Sequence, residues 1–448
     1  MHALCRCLAA ATAATMNNQE KSFEKFLLLW TGELVSAIGS GLTSFGLSVY
    51  VFAQTGKASA VALVTLLAFM PSLLLSAPAG VLADRFDRRL MMVLGDSPSA
   101  VGVAFILICM LCGEVRLWQI CVGVAISSVF SSLLEPAYKA TVTDLLSEGQ
   151  YTKASGLVQA AGSARYLISP VIAGFLLAVS DIKLLLLIDI CTFLTTVIST
   201  LVVRSGLASR KNEQAKSLIR EFKEGWDAVK EKRGVLVLVI TASAITFFLG
   251  FIQTLSTPMI LAFSDSSALG TAVAISASGM LAASVIIGVI QIKSGYVKML
   301  SASLFCSGIF MVAFGLRESI VLICVSGFLF FSMLPFANTS LDFLVRTNIE
   351  NDLQGRAWGI IGVISQLGYV AAYALSGVLA DYVFTPLLLD GGALAGSMGK
   401  IFGTGSGRGT GFLIFIAGLL LCVTSVILYN VKSVRKLENR DGTASIAG

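Results

Sequence analysis

Long apolar blocks alternate with short polar breaks along almost the whole chain. Six blocks fall at 26–51, 58–83, 90–112, 117–138, 153–179 and 184–203; six more follow a long polar interval, at 235–263, 268–292, 297–316, 320–345, 357–385 and 411–431. A helix that crosses a bilayer needs about 20 mostly apolar residues. In lipid the backbone must satisfy its own hydrogen bonds, which a helix does internally. The pattern predicts an all-α integral membrane protein whose twelve transmembrane helices form two six-helix halves. It divides the chain into a tail at 1–25, an N-terminal half at 26–203, an amphipathic linker at 204–234, a C-terminal half at 235–431 and a second tail at 432–448.

Composition agrees, and charge adds orientation. Of 448 residues, 56% are apolar and only 13% charged, where an ordinary soluble domain carries roughly 25%. Placing the N-terminus in the cytoplasm puts 25 of the 32 Lys and Arg residues on the cytoplasmic side and six outside, with Arg165 inside the fifth block. Lys and Arg accumulate in cytoplasmic loops, so both termini are expected there. In the linker, Ile219, Phe222, Trp226 and Val229 share one helical face. That is the pattern of a helix lying along the inner membrane surface, either as a strut between the halves or as a plain tether. The glycine-rich stretch at 390–411 matches no nucleotide fingerprint and reads as a flexible external lid or spacer.

Much chemistry is excluded. The single histidine, His2, lies in an N-terminal leader, so neither a histidine metal site nor a Ser-His-Asp triad can be assembled. No G-x-x-x-x-G-K-[ST] loop is present, so ATP hydrolysis is not expected. No cofactor and no metal are implied. The net charge of +6 resides in loops where membrane topology places it and does not point to nucleic acid. Cys109 and Cys112 form a C-x-x-C inside an apolar block, which reads as packing, and the nine cysteines suggest no disulfide framework. The fifteen residues before Met16 read either as a weak secretory signal or as an extension upstream of the true start.

The most specific signal is GVLADRFDRRLMM, Gly80 to Met92, between the second and third blocks. It resembles the signature loop of the major facilitator superfamily, G-x-x-x-D-R-x-x-R-[RK]. Gly80, Asp84, Arg85, Arg88 and Arg89 occupy its defining positions, while Asp87 stands where a small residue is usual. Gly80 permits close helix contact, and Asp84 can face a helix N-terminus across the seam between halves. The arginines can pair with carboxylates, for which Asp96 and Glu135 are the candidates, making a cytoplasmic gate that latches and releases. The stretches Glu135–Gln159, Gly355–Gly362 and Leu375–Leu388 resemble bacterial macrolide-efflux and related exporter permeases, and the likeness runs from about Phe23 to Lys436. Ser169-Pro170 with Gly174 resembles a degenerate exporter motif of the fifth helix, in which Ser169 replaces the usual glycine. Pro170 either kinks that helix for function or simply for packing. The resemblance implies a bacterial inner-membrane transporter.

Charged residues inside apolar blocks are costly unless they face a cavity or a partner. Glu33 lies two turns into the first block, Arg165 roughly 18 Å along the fifth, and Asp189 in the outer half of the sixth. A carboxylate withdrawn from water favours its protonated form, and an approaching cation reverses that preference. Glu33 is therefore the leading proton carrier, with Asp189 and Arg165 beside it; the last two can also pair structurally. The C-terminal half carries little deep charge but many phenylalanines. Phe247, Phe251 and Phe331, with the polar Gln253, are candidates for the wall of a substrate pocket.

These readings converge on a secondary transporter that exports a lipophilic, macrolide-type or cationic compound by proton antiport with alternating access. Export of a siderophore or another endogenous metabolite is the alternative on the same fold. A polytopic membrane enzyme and a non-transporting sensor rank below both. The expected partners are a small-molecule substrate, protons and lipid, with no nucleic acid, and the chain is expected to act as a monomer.

Overall fold

The computed structural model describes residues 2–86, 88–146, 150–204, 218–290 and 294–438. Side chains at 2–22 and at several positions named below lie outside that description. Among the described residues there is no strand, and twelve helical spans are long and apolar enough to cross a membrane. The first helices are α1 (His2–Thr55), α2 (Ala58–Arg85), α3 (Arg88–Cys112), α4 (Leu117–Ser131), α5 (Leu134–Leu145), α6 (Tyr151–Val179), α7 (Ile182–Arg204) and α8 (Leu218–Glu231). They are followed by α9 (Arg233–Leu261), α10 (Ser266–Val289), α11 (Tyr296–Leu316), α12 (Ile320–Arg346) and α13 (Asn351–Leu379). A π-helical turn, Ala380–Phe384, leads into α14 (Thr385–Leu388), and α15 (Gly399–Phe402), α16 (Ser406–Asn430) and α17 (Lys432–Glu438) close the chain.

Three elements differ from the sequence reading. The leader and polar stretch before Phe26 continue the first helix, because residues 1–31 hold neither Gly nor Pro and are rich in alanine. The fourth block breaks into α4 and α5 at Ser132–Leu133. Pro136 lacks the N–H that would bond the Ser132 carbonyl, and its ring crowds that carbonyl. The glycine-rich stretch is folded rather than an open spacer. Leu394 N–H donates to Leu387 O at 3.0 Å and Gly405 N–H to Leu388 O at 3.1 Å. Phe402 packs 4.9 Å from Phe412 and 4.8 Å from Phe415, centroid to centroid.

The chain forms two compact units. The first comprises Met1–Gly46, Leu67–Ser169 and Ser180–Ala215; the second comprises Leu47–Leu66, Pro170–Val179 and Lys216–Gly448. In the first unit α1 and α7 meet along glycines seven residues apart. A Cβ at Gly32 would strike Ser199, at Gly39 Thr192, and at Gly46 Ile182 and Leu185. Lipid offers helices no hydrophobic drive to associate, so small residues that allow close backbone approach decide such seams. In the second unit α11 and α16 meet the same way, Gly308 against Gly418 and Gly315 against Gly411. There α8 buries Val229 and sets Gly225 against the Arg356 carbonyl of α13, so it is docked on a neighbour; the side chains of Ile219 and Phe222 lie outside the described residues.

Arg408, assigned by sequence to an outer loop, is 2% exposed at the start of α16. Its Nη2 donates to Leu316 O at 3.0 Å and Gly315 O at 3.4 Å, and its Nη1 stands 3.6 Å from Glu318. The guanidinium thus caps the carbonyl end of α11, where the helix dipole favours a cation. Arg408→Met keeps the stem but orphans those carbonyls. It should cost about 1–3 kcal/mol, read as a lower thermal unfolding midpoint in detergent.

Candidate functional site

Three carboxylates gather in the first unit. Gly39 leaves room on α1 for the Asp189 side chain of α7, whose Oδ1 lies against the space a Cβ would fill. Asp189 is 1% exposed; its Oδ1 accepts from Ser40 Oγ at 3.3 Å and, at 3.5 Å, from Thr192 Oγ1. Seven residues, or about two turns, before Ser40 and so on the same face of α1 as that hydroxyl, Glu33 is half-buried, and its shielded Oε2 has no hydrogen-bond partner among the described residues. Asp96 on α3 is 1% exposed, and neither of its oxygens has a partner among the described residues. The Arg165 charge acts on both Glu33 and Asp189, and Asp96 feels both carboxylates.

An unpaired carboxylate in a dry place is a strained arrangement unless it is neutral or holds a cation. Asp189 has hydroxyl donors; Glu33 Oε2 and Asp96 have none among the described residues. Arg165 is exposed and makes no direct ion pair with Asp189 among the described residues. It therefore acts on the group through space rather than as a clamped partner.

The signature-loop side chains Gly80, Asp84, Arg85, Arg88 and Arg89, together with Asp87, lie outside the described residues. Of their candidate partners, Glu135 bonds Lys139 on its own helix at 2.6 Å, both exposed, while Asp96 is buried with no partner among the described residues. In α6, Ser169 Oγ donates to Ile38 O of α1 at 2.9 Å and fits against Gly41. Pro170 and Gly174 fall in the second unit, where the Pro170 carbonyl meets Gly270 and Gly174 meets the Ser266 backbone. The helix thus passes from one unit to the other at Ser169–Pro170.

In the second unit, α9 and α13 pack an aromatic cluster in which Phe251 and Tyr373 are buried and Phe247 and Tyr369 half-buried. Phe247 and Phe251 lie 4.7 Å apart, and Tyr369 and Tyr373 stack at 5.7 Å. Gly250 admits Ala372 and the edges of both tyrosines. Gln253 is exposed and its Oε1 accepts from Tyr373 Oη at 2.9 Å. Phe331 lies apart, edge-on to Phe330 at 5.3 Å. Tyr369 and Tyr373 escaped the sequence reading, although their i, i+4 spacing beside an apolar helix is a signal for one shared face.

Residues 29–373 match the family model described as Major Facilitator Superfamily. Macrolide efflux protein A of Streptococcus pyogenes is 27% identical over 374 residues, covering 80% of this chain and 90% of that protein. Among solved structures, the nucleoside transporter NupG is similar with a TM-score of 0.71 at 12% identity, covering 91% of this chain and all of that one (100%). A bacterial homologue of the human lysosomal transporter Spinster, in an inward-facing conformation, gives 0.67 at 12% identity, covering 93% and 98%. At such identities the structural likeness speaks for the fold.

Proposed function

The chain belongs to the Major Facilitator Superfamily, and on that footing we propose that it exports a lipophilic, macrolide-type or cationic compound in exchange for protons. As a member it is a multi-pass bacterial membrane transporter and not an enzyme. The direction and the cargo follow the macrolide efflux relatives, and the half-buried Phe247 and Tyr369 of the α9–α13 aromatic cluster offer apolar contacts to such a ligand.

One observation carries the coupling: among the described residues Glu33 Oε2 and both Asp96 oxygens are buried without a partner, with Asp96 in electrostatic reach of Glu33 and Asp189, and Glu33 in reach of Arg165. Such carboxylates bind protons readily while dry. A cationic ligand or incoming water favours their charged form and drives the protons off. Protons and ligand then compete for the first unit, and the competition couples their opposite movements. Glu33 carries the exchanged proton, Asp189 is held ready by Ser40 and Thr192, and Arg165 keeps the net charge of the group low. The transporter acts as a monomer with both termini in the cytoplasm, as the Lys and Arg distribution favours.

The test is ligand uptake into inside-out vesicles holding the purified protein, driven by an acid-inside gradient. Macrolides, lipophilic cations and a catechol siderophore are compared. Gradient-dependent uptake of a macrolide or lipophilic cation is expected. Uptake of the siderophore alone would transfer the assignment to an endogenous metabolite, and gradient-independent uptake would refute proton antiport.

A further inference from the structure

The pentapeptide GVLAD occurs twice in the chain, at Gly80–Asp84 and at Gly377–Asp381. The first copy ends α2 in the signature loop; the second ends α13 and enters the π-helical turn that follows it. The first copy is expected to supply a glycine for close helix contact and an aspartate facing a helix N-terminus. The second copy performs both. A Cβ on Gly377 would collide with Ser59 Cα, Ala62 Cβ and Ala58 O, so only glycine lets α13 lie against the start of α2. Asp381 then reaches the first turn of α2: Oδ1 accepts from Ala58 N–H at 3.0 Å and Oδ2 from Ser59 N–H at 2.8 Å.

Those two N–H groups are among the four that a helix start leaves without an internal partner. A carboxylate there gains charge-assisted hydrogen bonds and the favourable end of the helix dipole. Caps normally come from the residue just before the helix. This one comes from 323 residues along the chain, so it ties two separate stretches of the second unit together. The aspartate stands in the π-helical turn Ala380–Phe384, an irregularity that re-aims side chains and recurs at functional positions. Asp381 and Ala58 also line a cavity of about 620 Å³ shared with Phe52, Pro258 and Ser266, so the bond stands at the wall of an opening and not inside packed core. Close by, Ser266 Oγ donates to Gly174 O at 3.3 Å, tying α6 to α10 at the same end.

We propose that Gly377 and Asp381 form a second gate latch, at the extracellular end, which holds α2 to α13 by capping the first turn of α2 and must release for that end to open. It rests on and deepens the alternating-access reading of the proposed function. The chemistry of the latch is two backbone N–H donors on one carboxylate, with no basic side chain in the bond, so breaking it requires only that the helix start and the aspartate separate.

Hydrogen–deuterium exchange of the full chain in lipid nanodiscs tests this with Asp381→Ala and with Ala58→Pro. Proline is tolerated at a first helical position and removes one of the two donors without touching the carboxylate. A latch predicts that deprotection spreads beyond the first turn of α2 to residues 170–179 and 258–270, on the order of tenfold for loss of a charge-assisted pair. The interiors of α11 and α16 should stay protected in both variants, which reports an intact fold. Deprotection confined to residues 58–61 in either folded variant would overturn the latch and leave a local helix cap. If Asp381→Ala fails to fold, Ala58→Pro alone decides. A wild-type run with and without erythromycin reads alternating access separately: no ligand-dependent exchange at either end would count against that reading, whatever the variants show.

Discussion

Glu33→Gln is expected to reduce proton-driven uptake in inside-out vesicles to the level of protein-free vesicles. Exchange of one ligand molecule for another, which needs no net proton movement, should persist. The substitution keeps size and hydrogen-bonding capacity but removes the ability to gain and lose a proton, so it separates coupling from binding. Glu33 Oε2 is shielded with no partner among the described residues, so no local bond depends on its charge and the folded state should tolerate the amide. Asp189 differs, because Ser40 and Thr192 donate to its Oδ1. Asp189→Asn retains an acceptor for those hydroxyls and should weaken transport less. A Glu33→Gln protein that still accumulates ligand against the gradient would remove Glu33 from the mechanism.

The second large effect is structural. Gly315→Leu should destabilise the protein by about 3 kcal/mol, at the upper end of ordinary overpacking costs, and lower its thermal midpoint and yield of folded protein. Its Cβ would enter the space of the Gly411 carbonyl of α16, and backbone cannot swing aside as a side chain can. Gly288→Leu is the control. It sits in α10 with nothing within 4 Å of its added Cβ. Replacing that helical glycine should be neutral or stabilising by up to about 1 kcal/mol. Equal losses at the two sites would show that the α11–α16 seam is not set by close backbone approach.

The contrast shows what a single sequence discloses. Twelve spans were legible because lipid imposes length and hydrophobicity on every helix. The signature loop was legible because its charges and glycine stand at fixed spacing. The glycine seams were written in the sequence as well, at Gly32, Gly39 and Gly46 and at Gly308 and Gly315. They could not be told from the other glycines of an apolar chain until the opposing helix was known. Arg408 looked like a loop cation, and its burial depends on carbonyls 92 and 93 residues away. The acidic group was half legible. Glu33, Arg165 and Asp189 stood out by their cost in lipid, whereas Asp96 was read only as a partner for the signature arginines, whose side chains lie outside the described residues, and its nearness to Glu33 needed the fold. In the sequence Asp381 is one charge near the end of an apolar block. Its role emerges from its bond to a helix start that no local pattern could reveal.

The central claim is that protons and ligand compete at Glu33. It is tested most directly by proton release on ligand binding to purified protein in weakly buffered detergent solution, followed with a pH-sensitive dye. Wild type should release protons in proportion to bound macrolide or lipophilic cation, and Glu33→Gln should bind the same ligand with the release gone. Release of equal size from both proteins would contradict the account.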